Sequence, residues 1–167
     1  MSTIEIKNVS KNFGKTNALK DVSLTFEADK IYGLLGRNGA GKTTLINIIT
    51  NRVFANAGKV FIDGEPAEEN DSAQARICCM TEKNVHPWEM KVKDGFRWAY
   101  EFNPRFNTEY AYSLAQKFNL DTAKKIKSLS SGYNSIFKLI LTLASDVPVI
   151  IFDEPVMGLD AAHRELF

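Results

Sequence analysis

The residues Gly36-Arg37-Asn38-Gly39-Ala40-Gly41-Lys42-Thr43-Thr44 have the types and spacing of a phosphate-binding loop, G-x-x-x-x-G-K-[ST]. Glycines let the backbone wrap closely around a phosphate and aim successive N–H groups at it. A helix opening directly after the loop adds the partial positive charge of its N-terminus. In that setting Lys42 reaches the β- and γ-phosphates of a nucleotide and Thr43 ligates Mg²⁺. Asn38, Gly39, Gly41 and Thr44 complete the cradle. The plain alternative is a Gly-rich turn with a surface lysine. Against it stand three fixed motif positions between an apolar run, Ile31-Tyr32-Gly33-Leu34-Leu35, read as a strand, and Leu45-Ile46-Asn47-Ile48-Ile49, read as a helix.

A phosphate loop indicates a nucleotide, not a reaction. Val149-Ile150-Ile151-Phe152-Asp153-Glu154-Pro155 puts two carboxylates after four apolar residues. This pattern predicts a central parallel strand buried on both faces, with its ligand end at the carboxylates. Asp153 then supports Mg²⁺, and Glu154 acts on the attacking water as general base. Without the loop the same residues read as a strand ending in a solvated acidic turn. A further segment, Leu129-Ser130-Ser131-Gly132-Tyr133, precedes a helical apolar pattern at Ile136, Phe137, Ile140, Leu141 and Ala144. Two roles are open to Ser130: a plain N-cap, or a hydroxyl that joins the helix N-terminus in an anion site.

The order of these parts resembles the ATP-binding-cassette (ABC) ATPases along essentially the whole chain. The phosphate loop is followed by a signature, a Walker-B strand, and Gly158-Leu159-Asp160, which resembles the D-loop. The family signature is written LSGGQ; this chain keeps Leu129, Ser130 and Gly132 but has Ser131 and Tyr133 at the other positions. Phe13-Gly14-Lys15 with Ala18-Leu19 resembles the A-loop, and Phe13 would stack on adenine in place of the usual tyrosine; otherwise it is a core or hairpin residue. Glu82 stands where the family has the Q-loop glutamine. Two readings are open for it: a catalytic-site Mg²⁺ ligand, or a solvated loop acid. The resemblance implies a P-loop NTPase (RecA-like) α/β core with an antiparallel β layer and an inserted helical subdomain. It implies ATP and Mg²⁺ as cofactors, and catalytic roles for Glu154, Lys42 and Glu82. It also implies a transmembrane transporter subunit as partner, and a second ATPase subunit closing head to tail so that Ser130 and Gly132 meet the partner's phosphates. The location implied is cytoplasmic, on the inner face of the membrane. Residues 82–84 and the Ser-Ser-Gly-Tyr signature look most like ATPases of exporters linked to cell-wall antibiotic responses. A nucleotide-gated regulatory module with little turnover is the alternative that Glu82, Ser131 and Tyr133 favour. The family's switch histidine follows a further strand; His163 lies too early for it, and the chain reads as a fragment lacking the C-terminal part.

Composition is consistent with that reading. The 167 residues carry 21 Lys+Arg against 20 Asp+Glu, so no charge field favours nucleic acid. No run approaches the ~20 apolar residues that span a bilayer. The only cysteines, Cys78 and Cys79, are adjacent on a predicted strand and point to opposite faces, which argues against a mutual disulfide and for a reducing compartment.

The elements that must hold these residues are legible in outline. Alternation predicts strands over 3–9, 21–27 and 59–62, the last closing on Asp63-Gly64, together an antiparallel layer. A further strand is expected around Arg76–Glu82. Helices are expected over Val92–Phe102 and Thr108–Phe118, and from the signature to about Ser145. The division is a core over 1–83 with the loop, a helical subdomain over 84–145, and a second core part over 146–167. Eight aromatics, Trp88, Phe96, Trp98, Tyr100, Phe102, Phe106, Tyr110 and Tyr112, fall between residues 88 and 112. Most of them are expected to pack the subdomain's own core, with Trp88 and Trp98 as candidates for a partner's dock.

Overall fold

The structure is a computed structural model that describes residues 3–81 and 86–155. Glu82, the D-loop-like residues and His163 therefore lie outside the described residues. The chain forms two compact units, Met1–Ile77 and Cys78–Phe167.

The first unit is built on a four-stranded antiparallel sheet in the order β2-β1-β3-β4. Strands β1 (Ile4–Phe13) and β2 (Thr16–Phe26) form a hairpin that pairs Phe13 with Thr16 and Ile4 with Phe26. Ile4, Ile6 and Val9 are all buried; Val9 breaks the alternation of the first two across a register irregularity between Ile6 and Val9, where Asn8 has φ 52°. β1 also pairs with β3 (Ala57–Ile62), setting Ile4 against Ile62 and Ile6 against Val60, both buried. β3 returns as β4 (Glu65–Pro66) through Asp63 and Gly64, whose φ values of 53° and 80° are those a type I′ turn requires. Helix α1 (Lys42–Ile49) buries Leu45, Ile46, Ile48 and Ile49, which is what the apolar run after the loop predicts. A short helix, α2 (Asp71–Gln74), is capped by the Asn70 side chain, which accepts from Ala73 N–H at 3.1 Å.

One expectation fails here. Ile31–Leu35 is not a strand: no regular element lies between β2 and α1, and Ile31 and Leu35 are 102% and 93% exposed. An apolar run becomes a strand only when neighbours accept and donate its ladder hydrogen bonds, and no ladder among the described residues includes these five. A local anchor is Tyr32, which stands edge-on to Phe26 at 5.1 Å and whose hydroxyl oxygen accepts from Glu27 N–H at 3.0 Å.

The second unit holds β5 (Ile77–Met80, entering from the first unit), α3 (Val92–Phe102), α4 (Thr108–Lys117), α5 (Ser131–Leu143) and β6 (Val149–Phe152). Its core gathers Val92 and Phe96 of α3, Ala111 and Leu114 of α4, and Ile136, Phe137 and Ile140 of α5. Gly95 lets α3 approach closely, since a Cβ there would lie 2.6 Å from the Phe137 ring. α4 starts at Asn107, whose side chain accepts from Tyr110 N–H at 2.9 Å.

Two further expectations are corrected in this unit. β6 is not buried on both faces: its residues are half-buried or exposed, because β5 is its one sheet neighbour among the described residues. Of the eight clustered aromatics only Phe96 and Phe106 are buried. Trp88, Trp98, Tyr100, Tyr110 and Tyr112 are exposed, and Phe102 is 82% exposed, resting its edge on Trp98 at 6.2 Å. An eleven-residue helix has room for only one apolar stripe against the core. Val92, Gly95 and Phe96 fill that stripe, so Trp98 and Phe102 are left on the other side. Cys78 and Cys79 are both half-buried and form no disulfide with each other, consistent with their adjacent places on a strand.

Candidate functional site

In the first unit the phosphate loop delivers α1 through Gly41, which has φ 93° and ψ 3°. A side chain there would strain the backbone and place its Cβ 2.5 Å from Ala18 O and 2.8 Å from Leu19 Cδ2, both on β2. Gly41 is thus both the hinge of the turn and the point where loop meets sheet. Gly39 also has a positive φ, 81°. The first intrahelical bond is Leu45 N–H to Gly41 O, 2.9 Å, and no side chain caps the helix. The amides of Lys42, Thr43 and Thr44 precede that bond in the helix's first turn. Lys42 folds back so that its ammonium donates to Gly36 O at 2.8 Å and Arg37 O at 3.1 Å. Its charge is therefore held directly over the loop and not splayed into solvent. Arg37 O also accepts from Ala40 N–H at 3.1 Å, which closes the turn that carries Asn38 and Gly39. Phe13, at the end of β1, is half-exposed with Lys11 Nζ 5.1 Å from its ring centre. It is a hairpin residue and not part of the core.

In the second unit Asp153 follows β6, and its N–H donates to Met80 O at 3.0 Å, which ties the carboxylate end of β6 to the end of β5. Glu154 has φ 53°. Glu69 shares that left-handed conformation, with φ 49°, so it does not by itself mark Glu154. Ser130 is the N-cap of α5: its hydroxyl oxygen accepts from Tyr133 N–H at 3.3 Å. Gly132 lies in the first turn of that helix. Among the described residues no group of three His, Cys, Asp or Glu converges as a metal site. Thr43 in the first unit and Asp153 in the second each carry a hard oxygen of the kind Mg²⁺ prefers.

Two residues that sequence reasoning passed over hold this second region together. Lys138 of α5 donates to Thr81 O at 2.9 Å, gripping the carbonyl just ahead of Glu82. The available signal is a lone cation in the apolar run Phe137-Lys138-Leu139-Ile140. Burial, and then the charge of Lys138, lower the pKa of His86, which packs edge-on to Phe137 at 5.1 Å. Glu89 is the other. Hydrogen bonds from Lys125 and then Lys127 pull its carboxyl down to about 2.

The family model described as ABC transporter matches residues 19–157. The chain belongs to the ABC transporter family. Among its relatives is the ABC transporter ATP-binding protein YtrB of Bacillus subtilis (strain 168), 34% identical over 96% of this chain and 55% of that protein. Another is the ribose import ATP-binding protein RbsA of Lacticaseibacillus paracasei, 31% identical over 93% of this chain and 34% of that protein. The ABC chain described here thus spans about half the length, or less, of these curated relatives. A solved structure titled "Structure of ATP binding subunit of ABC transporter" superposes with a TM-score of 0.86 at 24% identity, over 97% of this chain and 70% of that one. This likeness identifies the fold as the P-loop ABC ATPase domain. No helix among the described residues is long and apolar enough to cross a membrane.

Proposed function

We propose that this chain is the ATP-binding and ATP-hydrolysing part of an ABC transporter subunit. The carrying observation is the phosphate loop: an uncapped α1 N-terminus behind two left-handed glycines, with the Lys42 ammonium folded over it. These donors suit a triphosphate. Lys42 would exchange its two carbonyl partners for phosphate oxygens, and the amides through Thr44 would follow the β-phosphate. Asn38, Gly39 and Gly41 shape the cradle, and Phe13 offers a ring face to the base. By resemblance Thr43 and Asp153 would each be candidates to hold Mg²⁺, which would supply charge neutralisation to the bound phosphates. Glu82 stands as a third candidate ligand by resemblance alone. Glu154 holds the proton-accepting role toward the attacking water. Ser130 and Gly132 serve the phosphates of a second ATPase subunit, and residues 84–145 act as the helical subdomain that meets a transmembrane partner. The protein would then sit at the cytoplasmic side of a membrane through that partner.

Transport direction is open to one narrowing. The signature and residues 82–84 favour an exporter, whereas relatives named for ribose and arabinose import show that the same core serves uptake. A second reading, a nucleotide-gated module with little turnover, is favoured by Ser131 and Tyr133 in the signature. Steady-state phosphate release from the intact polypeptide decides between them. Turnover should be measurable, and Glu154→Gln should retain ATP while losing about 10²–10⁴ in rate. Turnover equal to that of the wild type would remove Glu154 from its role; no turnover in either, with ATP bound, would favour the gated module.

A further inference from the structure

We propose that Glu89 is a positioning residue for Ser130, acting through a clip that locks the approach to the α5 N-cap. The proposal rests on the reading of Ser130 as a phosphate contact. Residues 88–93 and 122–127 run beside each other as a short antiparallel clip. Lys127 N–H donates to Trp88 O (3.0 Å), Ile126 N–H to Met90 O (2.8 Å), Val92 N–H to Lys124 O (3.0 Å) and Lys93 N–H to Thr122 O (3.0 Å). Lys91 and Lys125 form an antiparallel bridge between them.

Such a pairing has a problem of charge. Lys91, Lys93, Lys124, Lys125 and Lys127 crowd two short segments, and like charges on facing strands repel. Glu89 answers it: one carboxylate oxygen accepts from Lys125 Nζ at 2.8 Å and the other from Lys127 Nζ. The 3-10 turn Ile126–Ser128 then leads straight into the cap. Ser128 and Leu129 N–H donate back to Lys125 O and Ile126 O, at 2.9 and 3.1 Å. Only two residues separate Ser128 from the start of α5. The position of Ser130 is thus set from one side by its bond to Tyr133 N–H and from the other by a turn that Glu89 holds down.

Charge reversal tests this without any nucleotide. In Glu89→Lys, amide hydrogen exchange at Ile126, Lys127 and Tyr133 should quicken about two- to fivefold, the range exposed ion pairs allow, while Leu114 and Ala115 in α4 are unchanged. Adding Lys125→Glu and Lys127→Glu should restore slow exchange. Unchanged exchange in Glu89→Lys, acceleration at all of these amides together, or failure of the triple variant to recover would each overturn the proposal. In a polypeptide with measured turnover, Glu89→Lys should lower kcat and leave the KM for ATP, set by the phosphate loop, in place. A KM change with kcat untouched would assign Glu89 elsewhere. Since exchange is read with no ATP present, a chain that never hydrolyses ATP still decides the clip.

Discussion

Two helix N-termini in this molecule solve the same problem differently. α1 opens behind Gly41 with no side-chain cap, and the donors of its first turn precede the helical ladder. α5 opens behind Ser130, whose hydroxyl already accepts from Tyr133 N–H. Each first turn carries N–H groups that helix geometry leaves over. Where the chain uses glycine, the helix gains nothing from a side-chain cap, the arrangement proposed above to receive an outside anion. Where it uses serine, part of that capacity is spent on local stability. A hydroxyl also donates, so a capped serine can still give its proton to an oxygen brought from elsewhere. The two ends therefore differ: the first has no side-chain cap, the second is fixed by one.

This contrast can be broken from either end. The largest effect should come from Gly41→Ala. Left-handed strain alone costs about 1–3 kcal/mol, and the overlap with Ala18 O at 2.5 Å adds to it. Urea unfolding should show the loss, and a stability equal to that of the wild type would mean that the loop re-forms without the left-handed turn. Next comes Lys42→Ala, which should keep the fold and weaken ATP binding at least tenfold, from a charge-assisted contact of about 1.5–3 kcal/mol. ATP titration checks it; equal affinities would sink the phosphate-loop assignment.

At the other end the effects are smaller. Ser130→Ala should cost about 0.5–1 kcal/mol, the low part of the N-cap range, because its bond to Tyr133 N–H is long at 3.3 Å. Ser130→Asp should preserve that stability, since aspartate also caps. It should still abolish ATP-dependent association of two subunits, since its charge would face phosphate. Retained association would reduce Ser130 to a cap. The smallest effect concerns His86, which packs edge-on to Phe137 of α5. Its pKa is lowered in the fold by burial and by Lys138, so the unfolded chain takes up a proton first as pH falls. The stabilising contribution is complete above the ordinary histidine value of 6.5 and declines below it. His86→Gln should flatten that part of the stability–pH curve, and an unaltered curve would exclude His86 as its source.

How much of this was legible in the sequence depended on whether the information was local. The Asp63-Gly64 turn, the α1 loop and the Ser130 cap are each set by a few neighbouring residues, and each is found where the sequence puts it. Ile31–Leu35 is the counter-case. Apolar character says that a segment wants burial but not which neighbour supplies it, and here no strand among the described residues does. The aromatic run misleads for a related reason. Composition counts rings, whereas a helix face has room for few, so Phe96 is buried while Trp98 and Phe102 are not. At the candidate site, the loop and the two carboxylates after β6 are written in motifs. Glu89 and Lys138 are not, because their partners lie far along the chain: Lys138 finds Thr81 across 57 residues.

The Glu89 clip also bears on the order in which the chain gains its shape. Its ion pairs join positions 36 and 38 residues apart. Closing a flexible loop of that length is entropically unfavourable, growing as the logarithm of its length. Once α3 and α4 have formed and packed, most of the intervening residues are already fixed and the two ends are brought near each other. The clip is therefore expected to close after the helical hairpin that it encloses. The turn leading to Ser130 would then settle late, while the cap to Tyr133 N–H forms locally with α5.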